Sequence, residues 1–241
     1  MADRTFSIIY PENIQGKSFS LDDDESHHLG RVLRKKPGDT IWLIDGQGMA
    51  YEGLIEVPHP KVSGKIIKSH KHFGENPRDV HLVLAILKRT ALETAIEQAT
   101  EMGARSITLL ITERIVKKQF NLTRLEKIVR SSSKQCGRSQ FMEITGPVTL
   151  NEWTKSINFN SSTVFGCHWI GVSSISSILK NSDSSIYCLI GPEGDFSSGE
   201  IEILQSNNIP FATLGDRRLR AETAVSTALS VINETMIGRN S

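Results

Sequence analysis

The sequence predicts a small β-barrel followed by an α/β domain on a mostly parallel sheet. Three observations carry this expectation. Residues 1 to about 73 read as short β-rich runs separated by Gly and Pro. From Val80 onward, continuous apolar strands alternate with helix-periodic segments. Between the two, KHFGENPRD (71–79) lacks apolar periodicity and carries Gly74 and Pro77. The expected domains are therefore 1–73 and 74–241.

In the first part, strands are expected over 5–10, 40–45, 51–57 and 62–71. DDDESHHLGRVLR (22–34) reads as a helix. Its acidic opening suits the positive end of a helix dipole and its basic end the negative one. In the second part, 80–87 is a strand covered on both faces. Ala91, Leu92, Ala95, Ile96, Ala99 and Met102 then fall at helical spacing, with Thr90 and Glu93 read as a capping box and Gly103 as the stop. Strand 106–112, a helix near 121–137, and strands 163–169 and 185–191 follow. A helix from Ser198, strand 210–215 and helix 221–237 complete the alternation. The last helix is striped by Ala221, Ala224, Val225, Ala228, Leu229, Ile232 and Met236.

Composition narrows the function. The chain of 241 residues holds 28 basic and 27 acidic side chains, a net of +1, which excludes a strongly basic nucleic-acid tail. A local patch stays hidden in that total. Residues 112–138 carry eight basic residues (Arg114, Lys117, Lys118, Arg124, Lys127, Arg130, Lys134, Arg138) and two acidic ones (Glu113, Glu126), a net of +6. RVLRKK (31–36) adds four basic residues in six. Such patches suit phosphate contacts, although a solvated helix face is the commoner meaning of a charge run. No apolar run approaches the roughly 18 residues of a membrane span, and MADRTFSIIYPEN does not read as a signal peptide. Cys136, Cys167 and Cys188 are widely spaced and form no CxxC, which argues against a disulfide framework or zinc site and points to a reducing cytoplasm. His27–His28 and His70/His72 read as solvated or phosphate-facing, so no metal is expected. There is no GxxxxGK[ST], HExxH or GxSxG, and GQGMAY (46–51) is an incomplete dinucleotide fingerprint.

Two segments carry the chemistry. In LIGPEGDFSSGE (189–200) an apolar strand runs into Gly191, Pro192 and Gly194, then into a helix capped by Ser197 with Glu200 three residues on. In TLGDRRLRAETA (213–224) a strand ends at Gly215, and Arg217, Arg218 and Arg220 precede the last helix. Ligands of open α/β sheets bind at the carboxyl ends of strands, where glycines let them lie against the backbone. One such turn is ordinary. A matched pair suggests two walls of a pocket.

Together with HHLGRVLRKKPGD (27–39), TALETAIEQATEMGA (90–104), TER (112–114) and QCGR (135–138), the segments IGPEGDFS (190–197) and LGDRRLRAETA (214–224) resemble one family. It is the bacterial 16S ribosomal RNA (uracil-N3)-methyltransferases, within the SPOUT superfamily. The resemblance spans both domains. It implies a PUA-like barrel that holds RNA, then a SPOUT-type α/β domain with a carboxyl-terminal trefoil knot. Periodicity alone points to an ordinary doubly wound sheet, since true knots are nearly absent among folds.

The resemblance further implies S-adenosylmethionine bound in the knot, mainly by backbone groups. The residues expected to hold it are Leu189, Ile190, Gly191, Pro192, Glu193, Gly194, Leu214, Gly215, Leu219, Arg220, Ala221, Glu222, Thr223 and Ala224. RNA contacts are expected from Arg4, His28, Arg31, Arg34, Lys117 and Lys118. Arg138 is the first candidate to stabilise charge on the uracil and Arg220 the second. Glu113, or alternatively Glu222, is a candidate base, with a structural role at least as plausible for either. The expected partners are 16S ribosomal RNA in the small subunit and a second copy of the chain, packed through the apolar stripe of the last helix, although the residues alone favour plain burial of that stripe within one chain. Rival readings are methylation of another RNA or of a ribose 2′-hydroxyl, and a non-catalytic RNA-binding protein. Asp195, Met142 and Lys134 depart from the family pattern, which usually has Gly, Pro and Glu there.

Overall fold

The computed structural model of the chain describes residues 4–115, 120–180 and 184–237. The chain forms two compact units, Met1–Glu75 with Arg130–Phe141, and Asn76–Val129 with Met142–Ser241.

The first unit is built on a six-stranded sheet: β1 (Phe6–Ile8), β2 (Ile14–Gln15), β3 (Ser18–Ser20), β4 (Thr40–Ile44), β5 (Met49–Val57) and β6 (Ser63–Lys71). The order is β1-β4-β5-β6-β3-β2, antiparallel except for β1 beside β4. Ile9, Phe19, Leu21, Leu29, Ile41, Leu43, Ile55 and Val62 form its core. Each such buried Leu, Ile or Val contributes about 1.5–3 kcal/mol. The helix expected at 22–34 forms in two pieces, α1 (Asp23–His27) and a π-helical turn over His28–Val32. Asp22 caps α1 by accepting the Glu25 N–H at 2.8 Å. At Gly30 the backbone comes so close to the 58–60 turn that a Cβ would lie 2.5 Å from His59.

The second unit holds a parallel six-stranded sheet of order β12-β10-β11-β7-β8-β9. Its strands are β7 (Val80–Ala85), β8 (Ser106–Ile111), β9 (Glu143–Thr149), β10 (Ser162–Cys167), β11 (Ser185–Ile190) and β12 (Phe211–Ala212). The helices are α2 (Arg89–Glu101), α3 (Leu122–Cys136, whose last residues belong to the first unit), α4 (Leu150–Ser156), α5 (Ile175–Leu179), α6 (Ser198–Ser206) and α7 (Ala221–Ile237). Sequence reading did not foresee β9, a half-exposed edge strand without an apolar run, or the short helices α4 and α5.

Two expectations are corrected. The Thr90–Glu93 capping box does not form: α2 starts at Arg89, its N-cap is Lys88, and no side chain caps it. The Glu93 carboxylate is taken instead by Arg124, Nη2 to Oε2 at 2.8 Å. The stripe of α7 is not a free face either. Val225, Ala228, Leu229 and Ile232 are fully buried, and α7 packs on α2, α5 and β11 of the same chain.

Candidate active site

β10, β11 and β12 are neighbouring parallel strands, and their carboxyl ends open the site. Leu189 and Ile190 are buried at the end of β11 and lead into buried Gly191 and Pro192. Glu193 is half-buried and Gly194 exposed. The Asp195 N–H donates to Pro192 O at 2.9 Å and closes a turn, while Phe196 drops into the core. Asp195 has φ +61°, a left-handed conformation natural to Gly and tolerated by Asp and Asn. Glycine, which the resemblance leads one to expect there, would adopt this backbone without strain. The capping box at Ser197 and Glu200 forms as read from the sequence, with Ser197 N–H on Glu200 Oε2 at 2.8 Å and Glu200 N–H on Ser197 Oγ at 3.2 Å.

The segment after β8 braces this turn. Buried Glu200 accepts the Glu113 N–H at 3.0 Å with its other oxygen. Arg114 Nη1 donates to Gly194 O at 2.7 Å and to Phe196 O at 3.3 Å. The sequence reads Arg114 as part of the TER segment and of the basic patch suited to phosphate, not as a brace of this turn. His168, at the end of β10, was missed altogether. Its Nε2 lies 3.1 Å from Asp195 Oδ2. Burial pushes the imidazole below its ordinary pKa, and Asp195 pulls partly against that.

The second loop follows β12. Leu214 is half-buried, and Gly215 has φ +107° with nothing within 4 Å of where a Cβ would stand. Residues 214–220 form neither helix nor strand. Leu219 is half-buried, Arg217, Arg218 and Arg220 are exposed, and Arg220 O accepts the Ala224 N–H at 2.8 Å as α7 opens. In that first turn Ala221 is buried, Glu222 and Ala224 half-buried, and Thr223 exposed. Arg218 Nη2 donates to Glu193 O at 2.8 Å. The two glycine-ended loops therefore meet.

The residues expected to do chemistry are placed differently. Glu113 and Arg220 are exposed in the second unit, together with the loops. Arg138 lies in the first unit with its guanidinium 1 % exposed, and its Nη2 is 2.6 Å from Glu75 Oε2. The Glu75 carboxylate also accepts the Gln140 N–H at 2.8 Å. In this conformation Arg138 presents no donor to a substrate and fastens 130–141 to Glu75 instead.

Three of the eight basic residues of the +6 segment, Arg124, Lys134 and Arg138, pair with carboxylates outside it. Arg124 and Arg89 hydrogen-bond Glu93 and hold its carboxyl down at about 2. Lys134 pairs with both oxygens of Glu25 at 2.8 Å. Lys117 and Lys118 lie outside the described residues. In the first unit, Arg31 is exposed and lines an open cleft of about 870 Å³ with Asp23, His27 and His59. Arg34 is exposed and His28 half-buried. Arg4 covers Trp42 at 4.8 Å, and Trp42 stacks on Phe73 at 4.7 Å. His70 pairs with Glu52 at 2.8 Å.

A family model described as an RNA methyltransferase domain matches residues 74–233, well over half of the chain. The chain belongs to this RNA methyltransferase family. A second model, an RNA methyltransferase PUA domain, matches residues 21–67, so the α/β domain is preceded by a PUA-like one. Among relatives, proteins named ribosomal RNA small subunit methyltransferase E are similar along most of their length. That of Rickettsia conorii is 32% identical, covering 87% of this chain and 86% of its own. That of Bacillus subtilis is 27% identical and covers 91% of both. Among solved structures, the Neisseria gonorrhoeae methyltransferase E bound to S-adenosyl methionine superposes with a TM-score of 0.85 at 25% identity, over 96% of this chain and 97% of that one. A Legionella pneumophila methyltransferase in complex with the cofactor gives 0.81 at 28% identity, over 97% and 98%.

Proposed function

We propose that the chain transfers a methyl group from S-adenosylmethionine to N3 of a uridine in 16S ribosomal RNA. The observation that carries this is the meeting of two glycine-bearing loops, which follow the parallel strands on either side of β10, through Arg218 to Glu193, in an RNA methyltransferase chain. The names of its relatives and the cofactor bound in similar structures support the same reading.

The residues present fit the cofactor. At Gly215 the nearest described atoms are more than 4 Å from where a Cβ would stand, and at Gly194 the nearest are those of the Arg114 stem at 3.4 Å. A ligand can thus lie against the main chain, beside half-buried Leu214 and Leu219. Leu189 to Gly194, Leu214, Gly215 and Leu219 to Ala224 would hold it. When bound, it supplies a methyl group already activated on a cationic sulfur. The uridine N3 attacks that carbon, the N–C bond forms as the C–S bond breaks, and the N3 proton leaves. No metal or covalent nucleophile is required. The protein aligns the partners and stabilises charge on the uracil oxygens. Exposed Arg220 suits the second task and exposed Glu113 suits the proton, whereas Arg138 acts there only if its Glu75 clasp opens.

The finer architecture belongs to the same proposal. The two loops form the trefoil knot, a reading supported by the order β12-β10-β11-β7 and the Arg218–Glu193 contact. The domains divide at 73/74, beside the unit boundary at Glu75. Arg4, His28, Arg31, Arg34, Lys117 and Lys118 bind the RNA of the small subunit in the cytoplasm. The active form is a homodimer, joined through a surface other than the buried α7 stripe; Trp169 and Val172 are 79 % and 95 % exposed.

The test is mass mapping of 16S ribosomal RNA after incubation with the protein and S-adenosylmethionine. N3-methyluridine is expected. A 2′-O-methyl nucleotide or no cofactor uptake overturns the reading. Sedimentation at micromolar concentration should give twice the chain mass.

A further inference from the structure

The ends of β10, β11 and β12 are tied together through one histidine. The His168 N–H donates to Ala212 O at 3.1 Å, which joins β10 to β12. Its side chain is 2 % exposed. Nδ1 accepts the Ile170 N–H at 3.2 Å. A ring nitrogen that accepts carries no proton, so in the neutral ring the proton sits on Nε2. That nitrogen faces Asp195 Oδ2 at 3.1 Å, which joins β10 to the turn after β11. Asp195 Oδ1 accepts the Phe196 N–H at 2.9 Å and lies 3.1 Å from where a Cβ on Gly191 would stand. The carboxylate therefore fills the inside of the Gly191–Phe196 turn and is held from both sides. Glycine would meet the backbone requirement at 195 without strain. What aspartate adds is the pair of oxygens, one for Phe196 and one for His168.

We propose that His168 and Asp195 are positioning residues for S-adenosylmethionine. They form a latch that keeps Gly191–Gly194 in the shape that receives the ligand. This rests on the cofactor placement proposed above. A glycine-rich turn left unlatched samples many conformations, and binding must then order it. With the latch closed, that ordering is done beforehand. Neither side chain touches the reacting atoms, so the latch acts on affinity and not on the transfer step.

The experiment is calorimetry with S-adenosylmethionine on the full-length chain, with steady-state kinetics alongside. Asp195→Asn keeps a residue that tolerates the left-handed backbone and one acceptor for Phe196, but offers His168 Nε2–H no second oxygen. It should weaken binding about tenfold or more, the scale of one lost hydrogen bond to a charged group. KM for the cofactor should rise in step while kcat at saturation holds. His168→Ala should do the same. His168→Gln, with an amide donor near the Nε2 position, should recover most of the affinity. The double variant His168→Ala/Asp195→Asn should be no weaker than either single one, because both remove one contact. Additive losses, or normal affinity in all variants, overturn the latch alone. A lowered melting temperature with unchanged affinity also overturns it. A wild-type chain that takes up no S-adenosylmethionine overturns the cofactor placement and the latch together.

Discussion

Arg138 Nη2 sits 2.6 Å from Glu75 Oε2, with the arginine side chain 1 % and the glutamate 11 % exposed. A buried charge without its partner is strongly destabilising. Arg138→Ala should therefore lower unfolding free energy by about 3–5 kcal/mol in denaturant titration. Replacing both residues with uncharged ones of similar volume should cost far less. An alanine variant with wild-type stability and a lost transfer rate would return Arg138 to the reacting base.

Gly191→Val tests the cofactor turn. A Cβ there would lie 3.1 Å from Asp195 Oδ1 and 3.2 Å from Phe196 N. Overpacking of this kind is expected to cost about 1–3 kcal/mol, so the chain still folds. The displaced turn should bind S-adenosylmethionine at least about tenfold more weakly by calorimetry.

Salt dependence separates RNA contacts from internal ones. Arg31 and Arg34 are exposed, whereas Lys134 is clasped by Glu25. Arg31→Ala and Arg34→Ala should each reduce the salt slope of RNA affinity by roughly 0.7–0.9. Lys134→Ala should leave the slope unchanged and lower stability instead.

Acid should loosen the second unit. Burial lowers the pKa of His81 and of His168 in the folded chain, below the ordinary 6.5. The unfolded chain then binds more protons near and below that value. Stability should be full above about pH 6.5 and fall as pH drops below it. His81→Gln should flatten the fall in melting temperature between pH 7 and pH 5.

Much of the site was legible because its signals are local. The glycines that follow β11 and the Ser197–Glu200 box each lie within a few residues of chain, whereas the strand expected over 210–215 is only Phe211–Ala212 and Gly215 lies in the loop after it. Arg114 reads from the sequence as a member of the TER segment and of a phosphate-facing patch, whereas its guanidinium goes to Gly194 O and Phe196 O. His168 sat in an apolar strand with nothing nearby to mark it, since Asp195 is far along the chain and arrives only when β10 and β11 pair.

The sequence by itself determined the alternation of apolar strands and helices and the two glycine-bearing loops. All of these rest on periodicity and backbone freedom, which adjacent residues set. Only the tertiary structure decided what each charge and apolar stripe faces. Glu93 goes to Arg124 and not to its own helix end, Lys134 to Glu25, Arg138 to Glu75, and the α7 stripe to the chain's own helices. A lone charge in a sequence shows that a partner is needed once it is buried. Which partner, and whether the charge is left for RNA, follows from how distant segments pack.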